Sequence, residues 1–415
     1  MSLLICNKSE SLHNLVKYLL VFTGAFVLLP FNLRGLIVIL FLLLGVYGFF
    51  IRNKKPSSLL LLINTLLYAC YVLSLVYTHN YQAGLGFLAT TLSLLVMPIS
   101  LILVSYNKEI IKTLIYNKTL FFYSFYFSCS LLSALILFKA FSFLDIPNNR
   151  ILINPFLNVL ETDFYWLSDH PIYLSLAISL SLILIFTFFK VKLKRGVIIL
   201  LLIGFILQLI VLIIMSRKSV LIAFFLVFFI RVLILKGLSI KSFLYAALFL
   251  GAVSLVTLQL SSDTVKRFKE VFDKKSYEKV EESSSTSIRY FVYDCSIQVI
   301  SESILFGYGI GDVKSELKKC YKSVSKVLYE GNYNSHNQYL GILLYVGVLG
   351  LILFLIMLGC NFRLFFISGD YTSFCVLLTF VIIMLFENIL DRQNGVILFS
   401  LFINYLGLIN LEEIE

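Results

Sequence analysis

The chain has 415 residues, of which 60% are hydrophobic and 14% charged, and its mean hydropathy is +0.95. Soluble domains carry roughly 25% charged residues, so these figures exclude a soluble globular protein, a disordered chain and a disulfide scaffold. The net charge of +11 would point to nucleic acid on a soluble protein; here it reads as the Lys and Arg excess of cytoplasmic loops in a membrane protein.

The apolar runs are continuous rather than alternating, which argues for helices over a transmembrane β-barrel. A helix needs roughly 20 apolar residues to cross a bilayer. Runs near 16–31, 35–51, 58–77, 83–104, 119–142, 171–190, 196–215, 219–235, 241–260, 339–360, 371–387 and 394–411 predict twelve spans. The first run lacks a small-residue cleavage site and reads as a retained span. The expected fold is an all-α polytopic integral membrane protein of about twelve transmembrane helices, with one large external helical loop between helices 9 and 10. The chain divides into 1–260 with helices 1–9, the loop 261–338, and 339–415 with helices 10–12.

Alternate loops differ in charge. One set holds Arg52, Lys54, Lys55, Lys108, Lys112, Lys118, Lys190, Lys192, Lys194, Arg195, Lys236, Lys241 and Arg363; the other short loops hold little beyond Arg34, Arg217, Lys218 and Arg392. Both termini are therefore expected in the cytoplasm, and the loops 143–170 and 261–338 outside it. The longer one has two amphipathic stretches, near 290–305 and 313–329, and Leu317, Tyr321, Val324 and Leu328 share a helical face in the second. A small helical subdomain on the membrane surface is expected.

The chain has four His. Three of them, His79, His170 and His336, fall on the expected external side with Arg217, Arg289, Glu387 and Arg392. One such group at a span end is an interface anchor; several on one face of an apolar protein suggest a site. Arg217-Lys218, in a short external turn, runs against the positive-inside pattern and suits an anionic ligand, Arg being able to hold phosphate bidentately. Arg289 caps structure or holds phosphate. His336 has the chemistry of a proton acceptor, and Asn337 follows it. Gly341, Gly347 and Gly350 are thin spots or ordinary small-residue packing. Lys139, Arg231 and Arg392 are anchors or contacts to the donor of such an anionic group. The run Phe306-Gly307-Tyr308-Gly309-Ile310-Gly311-Asp312 has the wrong spacing for a dinucleotide fingerprint and reads as a tight turn. No His/Cys cluster has metal-ligand spacing, so no metal and no cofactor is expected. Cys295 and Cys320 either pair or are buried thiols.

His336-Asn337, nine residues and then Gly347-Val348-Leu349-Gly350 resemble the His-[Asn/Ser/Gln]-x9-Gly-x-x-Gly motif of the O-antigen ligase family, which includes O-antigen polymerases. Arg217 is similar to the family's Arg after an apolar helix, with Lys218 where a small residue is usual. Arg289 is similar to its Arg late in the large loop, His170-Pro171-Ile172-Tyr173 resembles its HPxY element, and Glu387 through Gly395 resembles its last external turn. The resemblance implies a metal-independent, inverting glycosyltransferase of the bacterial inner membrane. It implies a glycan donor on undecaprenyl pyrophosphate, transfer to a lipid A–core hydroxyl at the periplasmic face, and contact with membrane lipids but not nucleic acid. His336 would be the catalytic base, Arg217 and Arg289 would hold the pyrophosphate, and His170, Lys218, Asn337, Glu387 and Arg392 would support them. The alternatives are a polymerase using the same donor and, less favoured, a lipid-linked sugar transporter.

Overall fold

The computed structural model describes residues 2–56, 59–141, 144–145, 150–151, 170–188, 192–215, 217–236 and 269–414. The regular secondary structure of these segments is helical, apart from an antiparallel pairing of Leu144–Asp145 with Arg150–Ile151. Among the described residues eight helices are long and apolar enough to cross a membrane. Tyr81–Thr91 and Ser93–Val104, bent by 40°, supply a ninth if read as one broken span, and Leu60–Ser74 and Tyr371–Met384 are shorter apolar helices. These account for eleven of the twelve expected runs. The run at 241–260, the loop 143–170 apart from its few described residues, and the boundary at 260 lie outside the described residues.

The helices are α1 (Ser2–Gly24), α2 (Leu36–Phe50), α3 (Leu66–Ser74), α4 (Tyr81–Thr91), α5 (Ser93–Val104), α6 (Lys108–Tyr116), α7 (Lys118–Ala140), α8 (Pro171–Phe188), α9 (Arg195–Ile214) and α10 (Lys218–Lys236). Then come α11 (Ser285–Glu302), α12 (Val313–Val324), α13 (Lys326–Gly331), α14 (Gln338–Ile367), α15 (Tyr371–Met384) and α16 (Gln393–Ile414). Two of them form the centre: α8 and α16 are each 94% buried along their span, against 33–50% for the other six long helices. A helix covered on all sides belongs inside a bundle, and one with an apolar face left open belongs against lipid. The central helices meet polar neighbours. Asn361 donates to Asn64 (2.7 Å), Asn64 to Asn404 (2.8 Å) and Asn404 to the Ser400 carbonyl (2.8 Å), so α14, the 3-10 turn Leu59–Thr65 and α16 are tied at a depth where an unmade hydrogen bond is costly.

One end of the bundle gathers the termini and the basic loops. Lys54 reaches Glu412 at 3.0 Å, Lys118 pairs with Glu413, and His13 Nδ1 lies 3.0 Å from Thr113 Oγ1. The loop helices α11 to α13 sit at the other end. Cys295 and Cys320 form a disulfide between α11 and α12, which resolves the alternative left open by the sequence. The amphipathic stretch 313–329 is two helices rather than one. Ser325 is extended (φ −162°) and its Oγ caps α13 through the Val327 amide. Leu317, Tyr321 and Leu328 are buried as expected, while Val324, at the end of α12, is exposed.

The loop is joined to α14 by backbone. Inside α14, Gly347 has φ +65° and ψ −166°, a conformation that is essentially glycine-only. The break frees backbone groups, and the segment 304–309 takes them: Tyr308 and Gly309 donate to the carbonyls of Leu344 (2.8 Å) and Tyr345 (2.9 Å), and Val348 donates to Ile304 (2.9 Å). A Cβ on Gly347 would lie 2.2 Å from the Leu305 oxygen. Gly347 and the glycine-rich turn are therefore the two halves of one joint. Gly347→Ala should lower stability by on the order of 3 kcal/mol, read as a drop in the thermal midpoint in detergent. An unchanged midpoint would mean that the joint is not formed.

Candidate functional site

The joint leaves the first turns of α14 at the end of the bundle opposite the termini. α14 starts where it does because Asn337 caps it: its Oδ1 accepts from the Tyr339 and Leu340 amides (2.9 and 3.1 Å), and its Nδ2 donates to the Leu385 carbonyl (3.0 Å). Asn is a strong N-cap residue, so the position after His336 is structural.

His336 is held in the left-handed region, φ +46°, which a residue with a Cβ enters at a cost. Three contacts fix it there. Its N–H donates to Asn334 Oδ1 (3.3 Å), its carbonyl accepts from Tyr293 Oη (3.1 Å), and Asn388 donates to the neighbouring Ser335 Oγ (3.0 Å). Asn388 fits because Gly341 has no side chain; a Cβ there would lie 2.5 Å from its Nδ2.

The His336 ring then meets the turn after α15. Nδ1 lies 3.4 Å from Glu387 Oε2, and the other carboxylate oxygen is ion-paired with Arg289 on α11. Burial alone would raise the Glu387 carboxyl; the His336 hydrogen bond and the Arg289 guanidinium outweigh it and hold it below the ordinary value. Glu387 is thus a carboxylate near neutrality. Tyr293 stands four residues after Arg289, one turn along the same helical face, so α11 supplies both the cation on Glu387 and the clamp on the His336 backbone.

His170, at the start of α8, lies within the fields of Arg217, Arg392, Glu387 and His336. Desolvation first, and then the positive charges of Arg217 and Arg392, push its imidazole down to about 4, so it is neutral at pH 7. Arg217 precedes α10 and is half-buried. Lys218 reaches Glu270 (3.5 Å) and Thr286 (3.2 Å), tying α10 to the first turn of α11 and to the segment before it. Arg231 is buried farther along α10, at 3.4 Å from Thr372 and over the Phe186 ring. It stands about 20 Å along the helix from Arg217, packed against α8 and α15 and not among the residues that line the cavity described next. Lys139 lies in the last turn of α7.

His170, His336, Glu387 and Arg392 line one cavity of about 640 Å³, together with Phe87, Tyr333 and Tyr345, within the size range of small-molecule sites. Behind it, Asp391 accepts from Tyr345 Oη at 2.9 Å, and burial pushes its carboxyl up to about 6 against the hydrogen bonds it accepts. Among the described residues no three His, Cys, Asp or Glu gather as metal ligands. The site brings together an imidazole hydrogen-bonded to a carboxylate, cationic side chains and aromatic faces. Tyr293 is absent from the sequence reading, and Asn334, Asn388 and Asp391 enter it only as neighbours of His336 or members of the turn from Glu387 to Gly395, with no role of their own. Only Tyr293 had a signal there, its helical spacing from Arg289.

Residues 180–355 match the family model described as O-Antigen ligase. The match takes in Arg217, Lys218, Arg289, His336, Asn337 and the joint at Gly347, and stops before Glu387 and Arg392. Among curated proteins none matches the chain.

Proposed function

From the match of residues 180–355 to the O-antigen ligase family model, we propose a membrane glycosyltransferase of that type that moves a glycan from undecaprenyl pyrophosphate to a hydroxyl of lipid A–core. The observation that carries this reading is the His336–Glu387–Arg289 arrangement on a cavity shared with His170 and Arg392.

With Nδ1–H given to Glu387, the Nε2 lone pair of His336 is free to accept a proton. In the proposed step the acceptor oxygen attacks the anomeric carbon and its proton passes to Nε2. The bond from that carbon to the pyrophosphate oxygen breaks, and the lipid pyrophosphate leaves with the electron pair. Attack opposite the leaving group inverts the anomeric centre. Negative charge grows on the leaving pyrophosphate, where Arg217 stabilises it. Arg289 helps to hold the donor while it is anchored through Glu387. His170, kept neutral, donates or accepts a hydrogen bond without adding charge, and Arg392 adds a further cation at the cavity wall. On this reading the protein supplies the cations and the reaction needs no metal.

The full topology belongs to the same proposal: twelve spans in a bacterial inner membrane, termini in the cytoplasm, and the cavity facing the periplasm. The charge asymmetry of the loops supports it. So does the disulfide in the external loop, since such bonds persist in oxidising compartments.

The test is a transfer assay in proteoliposomes of one orientation. Undecaprenyl-pyrophosphate glycan is supplied with and without lipid A–core at the face opposite the termini. The expected result is glycan on lipid A–core, unaffected by chelator. Lengthening of the lipid-linked glycan without lipid A–core would replace this reading with a polymerase. Transfer only from the face of the termini would overturn the topology.

A further inference from the structure

The helix α12 carries a feature that the proposed transfer does not use. Its buried side is Val313, Leu317 and Tyr321. Beside that stripe stand Lys314, Lys318 and Lys322, spaced four residues apart, so they follow one another along one face with a helical rise of about 6 Å between successive residues. Lys314 lines the cavity that holds His336 and Glu387; Lys318 and Lys322 lead away from it.

The neighbouring lysines have partners. Lys319 pairs with Glu316 at 2.7 Å and Lys326 lies 3.6 Å from Glu330. Among the described residues none of Lys314, Lys318 and Lys322 has an ion-pair partner; Lys318 rests over the Tyr329 ring at 4.7 Å. Three cations in register, left without carboxylates on a helix that elsewhere pairs its charges, repel one another unless an anion comes between them. The aromatic faces of Phe87, Tyr333 and Tyr345 at the cavity end suit sugar rings. Arg217 and Arg289, which do not line the cavity with Lys314, are assigned to the donor pyrophosphate in the reading above.

We propose that the Lys314–Lys318–Lys322 track binds a phosphorylated saccharide, the acceptor glycan, and guides its hydroxyl toward His336. The inference rests on the transferase reading above. Ammonium groups on flexible stems act as point charges, which suits phosphomonoesters at varying positions on a glycan. The ligand is the phosphate on the saccharide rather than on membrane headgroups, because Lys314 faces the cavity.

The experiment uses the full chain in nanodiscs of zwitterionic lipid. The probes are lipid A–core and the same material treated with phosphatase. Binding of each is measured without donor, and steady-state transfer is measured with it. For the Lys314→Gln/Lys318→Gln/Lys322→Gln variant, binding of the phosphorylated acceptor should weaken about tenfold and its KM rise by the same factor. The dephosphorylated acceptor should change less than twofold, and Lys319→Gln should change neither. Equal losses on both acceptors would overturn the proposal, as would no loss on the phosphorylated one. A loss seen only when anionic lipid is added to the nanodisc would assign the track to headgroups and also overturn it. Because binding is read without donor, the proposal can fail or stand whatever becomes of the transfer reading.

Discussion

His336→Ala should reduce kcat by 10²–10⁴, the usual span for loss of a positioned general base, while donor binding stays within about threefold. The reason lies in the turn that carries it. The backbone at 336 is held by Asn334, Tyr293 and the Ser335–Asn388 contact, none of which uses the imidazole. Removing the ring takes away the proton acceptor and leaves the turn and the α14 cap intact. The measurement is single-turnover transfer with saturating acceptor, beside donor binding by the same protein. A rate within threefold of wild type would remove His336 from the chemistry. Glu387→Gln refines the result, because the amide can still accept from Nδ1–H but no longer carries the charge that Arg289 and His336 face; its loss should be smaller than that of His336→Ala.

Arg217→Ala should lower transfer by 10²–10³ or more, the cost of removing one preorganised group from a developing negative charge. It should also weaken donor binding, which separates it from His336→Ala. Arg217→Lys should recover only part, because an ammonium lacks the planar fork that grips two phosphate oxygens at once. The structure adds a second readout. Arg217 is one of the charges that keep His170 neutral, so its removal relieves that repulsion and the His170 pKa rises from about 4 toward the ordinary value, observable by NMR of labelled histidine. Wild-type transfer in Arg217→Ala would dismiss the pyrophosphate role. An unchanged His170 titration would dismiss the coupling.

Much of the site is legible as sequence because its groups are polar in a chain that is otherwise apolar. His170, Arg217, His336, Glu387 and Arg392 stand at span ends and Arg289 in the external loop, and alternation of the spans brings these groups to one side. Their pairing is another matter. Arg289 reads in the sequence as a phosphate ligand, and in the structure it is also the ion-pair partner of Glu387, 98 residues away. Asn337 reads as part of a motif and proves to be a helix cap. Gly347 reads as a motif glycine that is a thin spot or a packing residue, and proves to be a break in α14 filled by the loop.

The sequence by itself determined the helical class, the positions of eleven apolar helices and the asymmetry of charge between the loops, because each depends on local composition and periodicity. Only the tertiary structure decided which helices are central. The window in Arg195–Ile214 is the most apolar of the long spans, yet only 39% of it is buried; Gln393–Ile414 is among the least apolar, yet 94% is buried. The physical reason is that lipid covers apolar surface as well as protein does but offers no hydrogen bonds. Helices bearing Asn and Ser, such as α16, are drawn inward to partners that no local pattern names.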